Sequence, residues 1–216
     1  MGIFSDWKGV VLKPFETFED LKNRASYEES IPHFVVGLLP QLLGLFLSLI
    51  LSFSVATLVS FVIGLAVLAI SLAVGLFLTL AIARFLGGKG TTVQHVFAFA
   101  VDWAAYFVLA VVLLLVILIL GALMVGSTLL SGGLQALDPA KILALVFGGG
   151  MVLLIIGGLL FLLLLILALR TYYYMMKSVH GFGVGKFILY NVVLVIIYFI
   201  VGFLLAFLGI WGATAF

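Results

Sequence analysis

Asp102 and His95 are the residues of this sequence best equipped for chemistry. They stand seven residues apart in an otherwise apolar run, a spacing that puts both on one helix face about two turns apart. Tyr106 follows one turn further along that face. A carboxyl, an imidazole and a phenol in line form a candidate proton or cation site, because an ionisable group inside a membrane helix is expensive to keep there. Arg84 and Arg170 close other apolar runs and are within reach of Asp102 as ion-pair partners. The competing reading is structural: an ion pair near the membrane surface that ties helices together.

The other histidines, His33 and His180, lie far from His95 in sequence. A His95–Asp102–His180 metal set needs a shared pocket, whereas the long spacing favours interfacial or helix-capping histidines and no resident metal or cofactor. The chain has no cysteine, which removes disulfides, thiolate metal sites and cysteine nucleophiles. It has no Ser–His–carboxylate set and no pair of carboxylates within the apolar runs, so the expectation is a protein without enzymatic activity. Gly87-Gly88 with Gly90, and Gly181, Gly183 and Gly185, follow no strand and match no nucleotide fingerprint; they read as turns.

The elements that must hold these residues are membrane helices. Of 216 residues, 66% are hydrophobic and only 8% charged, with a mean hydropathy of +1.48. Soluble domains carry about 25% charged residues, and a chain of this size cannot hide so much apolar surface from water. The formal net charge of +2 gives no reason to expect nucleic acid. Phe34 to Ala83 is uncharged over 50 residues. As one helix it would be about 75 Å long, so it must fold back, with a turn near Ser52 to Ser60. The remaining uncharged runs give three more spans. The expected fold is an all-α, integral membrane five-helix bundle with spans near 34–56, 60–83, 95–125, 142–169 and 187–210, forming a domain over 31–216.

Nine of the ten Lys and Arg fall before the first span or in the second-to-third and fourth-to-fifth loops, and Lys141 alone falls on the other side. That bias places the N-terminus in the cytoplasm and the C-terminus outside. Residues 1–30 form a separate amphipathic segment. Pro14 suits a first helical position, Phe15, Phe18 and Leu21 recur every three residues, and Trp7 and Phe4 suit headgroup depth, so an N-terminal interfacial helix is predicted. Pro40 is expected to kink the first span. Tyr172, Tyr173 and Tyr174 suit an inner aromatic belt. Gly148, Gly149, Gly150, Gly157 and Gly158 in the fourth span, and Gly202 with Ala206 in the fifth, are candidate points of close helix packing, inside the bundle or at a dimer face.

Three stretches resemble one family. Val11 to Lys22, with Pro14, Phe15 and Phe18, resembles the entry segment of the prokaryotic branch of the Yip (Ypt-interacting protein) family. Gly87-Gly88-Lys89-Gly90 leading to Gln94 resembles its inner loop, and His180-Gly181 followed by Lys186 resembles the loop before its last span. The five-span plan matches as well. Val101-Asp102-Trp103 stands where the family often has a proline, and the Asp-Leu-Tyr-Gly-Pro signature of eukaryotic members is absent. The resemblance implies a non-enzymatic membrane-organising scaffold or adaptor in a prokaryotic cell membrane. Its partners would be membrane lipids and either a membrane protein or a second copy of the chain. The alternative expectation is a small transporter or channel for a proton, cation or lipid, using Asp102.

Overall fold

Two short helices precede the first long one. The computed structural model describes the backbone of residues 2–132 and 139–207, and the side chains of residues 2–123 and 155–204. Helix α1 spans Ile3–Leu12 and α2 spans Pro14–Asn23. The sequence reading gave one helix here. The break falls at Lys13 (φ −135°, ψ 61°), because Pro14 has no N–H to give and crowds the residue before it out of the helical region. Pro14 then serves as the first residue of α2, where a missing N–H costs nothing. Gly9 lets the two helices fold together: a Cβ there would lie 2.5 Å from the Thr17 hydroxyl.

Five long helices follow: α3 (Tyr27–Leu51), α4 (Val55–Phe85), α5 (Thr92–Gly132), α6 (Pro139–His180) and α7 (Val184–Phe207). Each contains a stretch long and apolar enough to cross a membrane, over Tyr27–Leu51, Val55–Phe85, Thr92–Leu123, Ile155–His180 and Val184–Leu204. At most 6% of the most apolar window of any of them is buried within the chain. Helices apolar all round yet uncovered by protein must face lipid. The all-helical, five-span class is therefore present, and no strand occurs among the described residues. α3 runs unbroken through Pro40, and through Pro32 as well.

The turns are encoded locally. Ser26 starts α3 by accepting the Glu28 N–H, and Glu28 and Glu29 put negative charge on its first turn. Only Ser52–Ser54 separates α3 from α4. There the Ser54 hydroxyl accepts the Thr57 N–H while Thr57 accepts the Ser54 N–H, a reciprocal cap. α4 ends on Gly87 at φ +80°, with Gly88 N–H bonded to Ala83 O and Gly87 N–H to Arg84 O. α5 opens on a second reciprocal cap, Thr91 with Gln94. α6 ends on Gly181 at φ +71°.

The core lies at one end of the bundle, where α4 and α6 finish and α3, α5 and α7 begin. Trp7 and Val10 of α1, and Phe18 and Leu21 of α2, are buried with Phe97, Val101, Met175, Met176 and Tyr190. The amphipathic segment thus supplies part of the core; Trp7 is buried within it, while Phe4 stays exposed. α5 is the central helix, with α3 and α6 packed along it and α4 and α7 touching the bundle less. Gly37 meets the Trp103 ring where α3 crosses α5, and Gly64 meets Leu45 between α3 and α4. Among the described residues a Cβ at Gly158 or Gly202 would meet nothing within 4 Å, and at Gly157 only the tip of Ile117, so these three are not points of close contact with the described part of the chain. Gly148, Gly149, Gly150 and Ala206 lie outside the residues whose side chains are described.

Candidate functional site

The polar residues of the buried end form a ladder between α5 and α6. These helices run antiparallel, so His95 early in α5 meets His180 at the end of α6, and Asp102 meets Thr171 two turns away. His95 Nδ1 and His180 Nε2 are 2.9 Å apart, and His95 Nε2 is 3.0 Å from the hydroxyl of Thr79 on α4. All three side chains are buried.

The carbonyl at its far end sets the direction of this hydrogen-bond relay. Thr79 Oγ1 also lies 3.0 Å from the Leu76 carbonyl, which only accepts. If Thr79 donates there, His95 Nε2–H must donate to Thr79, and His180 Nε2–H to His95 Nδ1. His180 Nδ1 is then left as a bare acceptor, and it is the one buried side-chain polar atom among the described residues that lacks a partner. The opposite direction would strand an N–H, the rarer and costlier orphan. Two imidazoles that share one hydrogen bond cannot both be charged, since one must accept.

The glycine loop covers this unpartnered nitrogen. A Cβ on Gly88 would lie 2.8 Å from His180 Nδ1 and 2.7 Å from the Ala83 carbonyl oxygen; one on Gly90 would lie 2.7 Å from the Val179 carbonyl oxygen. Lys89 N–H bonds the His180 carbonyl at 3.3 Å. Gly87-Gly88-Lys89-Gly90 is therefore a turn, as its sequence suggests, and its glycines let the backbone lie flat on the end of α6.

Asp102 occupies the second rung. Thr171 Oγ1 lies 2.9 Å from its carboxylate and 2.7 Å from the Tyr106 hydroxyl, so Thr171, with one proton, donates to one and accepts from the other. Asp102 and Tyr106 do share a face, as their spacing predicts. Among the described residues neither Arg84 nor Arg170 forms a salt bridge with Asp102; both are exposed, and Arg84 binds the Thr92 hydroxyl at 2.9 Å. The expected ion pair is replaced by a hydroxyl on α6. Nor is His95 joined to Asp102, and the described residues hold no cluster of three or more potential metal ligands.

The expectation of interfacial or capping histidines is corrected. His33, like His95 and His180, is buried, and its Nδ1 accepts the Trp7 indole N–H at 2.9 Å. Each has a partner in another helix, so each belongs to the core. The three tyrosines likewise turn partly inward: Tyr172 shares a 2.7 Å hydrogen bond with Tyr190, Tyr173 packs on Phe187, and Tyr174 on Phe15.

The one charged cluster described lies in the N-terminal segment and at the very start of α3. Arg24, just past α2, contacts Asp6, Asp20 and Glu29, and its guanidinium lies over the Phe97 ring. Partial burial opposes its charge, but hydrogen bonds to Asp20 and Asp6 and their negative charge prevail and raise its pKa further. Asp6 is 3% exposed and held by this arginine alone among the described salt bridges.

A cavity of about 390 Å³ lies beside the ladder, bounded by α3, α4, α5, α6 and α7, and Thr79 stands in its wall. Sequence reasoning missed Thr79 and Thr171. A threonine in an apolar helix carries no signal until the partner helix is in place. No family model, curated protein or solved structure matches the chain.

Proposed function

We propose that the chain is a non-enzymatic membrane-organising scaffold or adaptor of the Yip type, seated in a prokaryotic cell membrane with its N-terminus in the cytoplasm and its C-terminus outside. One observation carries this reading. The buried ionisable groups of the bundle are spent on one another or on neighbouring hydroxyls and the Trp7 indole: His95 on His180 and Thr79, Asp102 on Thr171, His33 on Trp7. They tie helices into one rigid end and leave the long apolar faces of the spans uncovered, as surfaces for lipid and for other membrane helices. The test is purification from native membranes in gentle detergent, with quantitative mass spectrometry and in-membrane crosslinking. A stoichiometric partner protein, or a crosslinked homo-oligomer, is expected. Monomer alone by both methods overturns the reading.

A second reading has its own observation. Asp102 is a buried carboxyl joined through Thr171 to the Tyr106 phenol, an arrangement able to hold a proton or small cation. Flux into liposomes that is lost in Asp102→Asn and kept in Tyr106→Phe would establish transport. Absence of flux in the unaltered protein removes it.

A further inference from the structure

The cavity beside Thr79 is bordered by polar groups that lie well inside three of the spans. Gln41 lies in the middle of α3, Ser71 in the middle of α4, and Tyr198 about four turns into α7. All three line the cavity, and none has a side-chain hydrogen bond among the described residues. At mid-span an amide or hydroxyl without a partner is strongly disfavoured, because hydrocarbon offers nothing to bond. Gln41, Ser71 and Tyr198 are exposed at the rim of the hollow, so at mid-span they face hydrocarbon and mark a place that receives a polar group from elsewhere.

The lining also selects what that group is. Among the described residues no charged side chain borders the cavity. A phosphate there would lose its water with no cation to replace it. Carbonyl or hydroxyl groups match Gln41, which both donates and accepts, and the hydroxyls of Ser71 and Tyr198. The walls are aromatic, with Phe99 and Trp103 set edge to face at 6.0 Å. A second cavity of about 410 Å³ adjoins the first, sharing Gln41, Leu68 and Ser71, and runs between α3 and α4 past Gly44 and Gly64. Beyond the shared Gln41 and Ser71 its lining is Gly44, Leu45, Gly64, Val67 and Leu68, so the part that leads away from those two residues suits a chain rather than a head.

We infer that these joined cavities bind a single membrane lipid with an uncharged, hydrogen-bonding head, the head among Gln41, Ser71 and Tyr198 and the tail between α3 and α4. This goes beyond the scaffold reading and does not depend on it. Two lipid sources share the chemistry: a quinone, with ring carbonyls, and a diacylglycerol, with ester carbonyls and one hydroxyl.

The experiment uses the full chain in nanodiscs, titrated with decylubiquinone, with dioctanoylglycerol, and with short-chain phosphatidylglycerol as the charged control. Binding is read by native mass spectrometry. One neutral probe should bind saturably and more tightly than the control, and its identity tells quinone from glyceride. Gln41→Leu with Ser71→Ala should weaken that probe about tenfold, the loss expected from one or two hydrogen bonds. These changes make the spans more apolar and do not impair insertion. Tyr198→Phe, which removes one oxygen, is the milder second variant and should weaken binding in the same direction. The proposal is overturned if neither neutral probe binds better than phosphatidylglycerol, or if both variants bind as the unaltered chain does.

Discussion

Single glycines decide how the loop meets the end of α6. Gly87 sits at φ +80°, so Gly87→Ala should cost about 1 kcal/mol from backbone strain alone. Gly90 has ordinary φ but no room, since its Cβ would press on the Val179 side chain at 2.5 Å and on its carbonyl oxygen. Gly90→Ala should cost more, about 2–3 kcal/mol, by prising the loop off His180. Gly185, in the first turn of α7 with nothing within 4 Å, is the control: Gly185→Ala should be neutral or stabilising by up to about 1 kcal/mol. Thermal unfolding in detergent ranks the three. If Gly90→Ala melts with Gly185→Ala, the loop does not rest on α6 as described. At this scale the sequence was half legible. The spacing of Asp102 and Tyr106 foretold their shared face, and the glycines foretold a turn. The His95–His180 pair joins residues 85 apart in sequence, and Trp7–His33 joins residues 26 apart; no local pattern encodes either. Arg84 and Arg170 misled because charge suggested a partner for Asp102, whereas the packed helix supplied a hydroxyl.

Elements depend on how their ends are closed, and the α1–α2 pair shows this. Arg24 gathers Asp6 from α1, Asp20 from α2 and Glu29 from the first turn of α3, so one side chain joins three helices. Asp6 is buried, and removing its arginine strands a carboxylate. Arg24→Met should destabilise the protein by roughly 3 kcal/mol, the scale for breaking a buried pair from one side. Arg24→Met combined with Asp6→Leu should recover much of the loss, since no buried charge then remains. Urea or thermal unfolding of the two variants checks this; a single variant as stable as the unaltered chain removes the joining role. Pro14 and the spacing of Phe15, Phe18 and Leu21 announced α2 in the sequence, whereas α1 was not read as a helix of its own. Pro14 sets the break at Lys13 locally, but how closely α1 folds against α2 was not announced, because it depends on Gly9 making room for Thr17, a contact between helices.

The whole molecule divides into a well-packed end, where the charged residues gather, and long apolar spans that turn their faces outward. Composition alone conveyed the class, because 66% hydrophobic residues admit few other solutions. Orientation follows from the proposed reading and can be checked directly, since the chain has no cysteine of its own. Single cysteines at Ser54 in the α3–α4 turn and at Lys89 in the α4–α5 loop are both exposed. In intact cells an impermeant maleimide should label Ser54→Cys at once and Lys89→Cys only after the membrane is opened. The reverse order inverts the topology, and equal labelling rules out a crossing by α4.

The packing of α2 has a bearing on how the protein is made. Glu19 accepts a hydrogen bond from Ser178, Gln94 binds the Lys22 carbonyl, and Phe18 and Leu21 share a core with Met175 and Met176. None of these partners exists when residues 3–23 leave the ribosome. The first helices must wait, their apolar side uncovered, while four spans are threaded into the bilayer, and they can latch only once residue 178 has been synthesised. Biogenesis therefore has a late locking step in which α2 closes over the end of α6, and until then the nascent chain offers chaperones and proteases a surface that the finished protein hides.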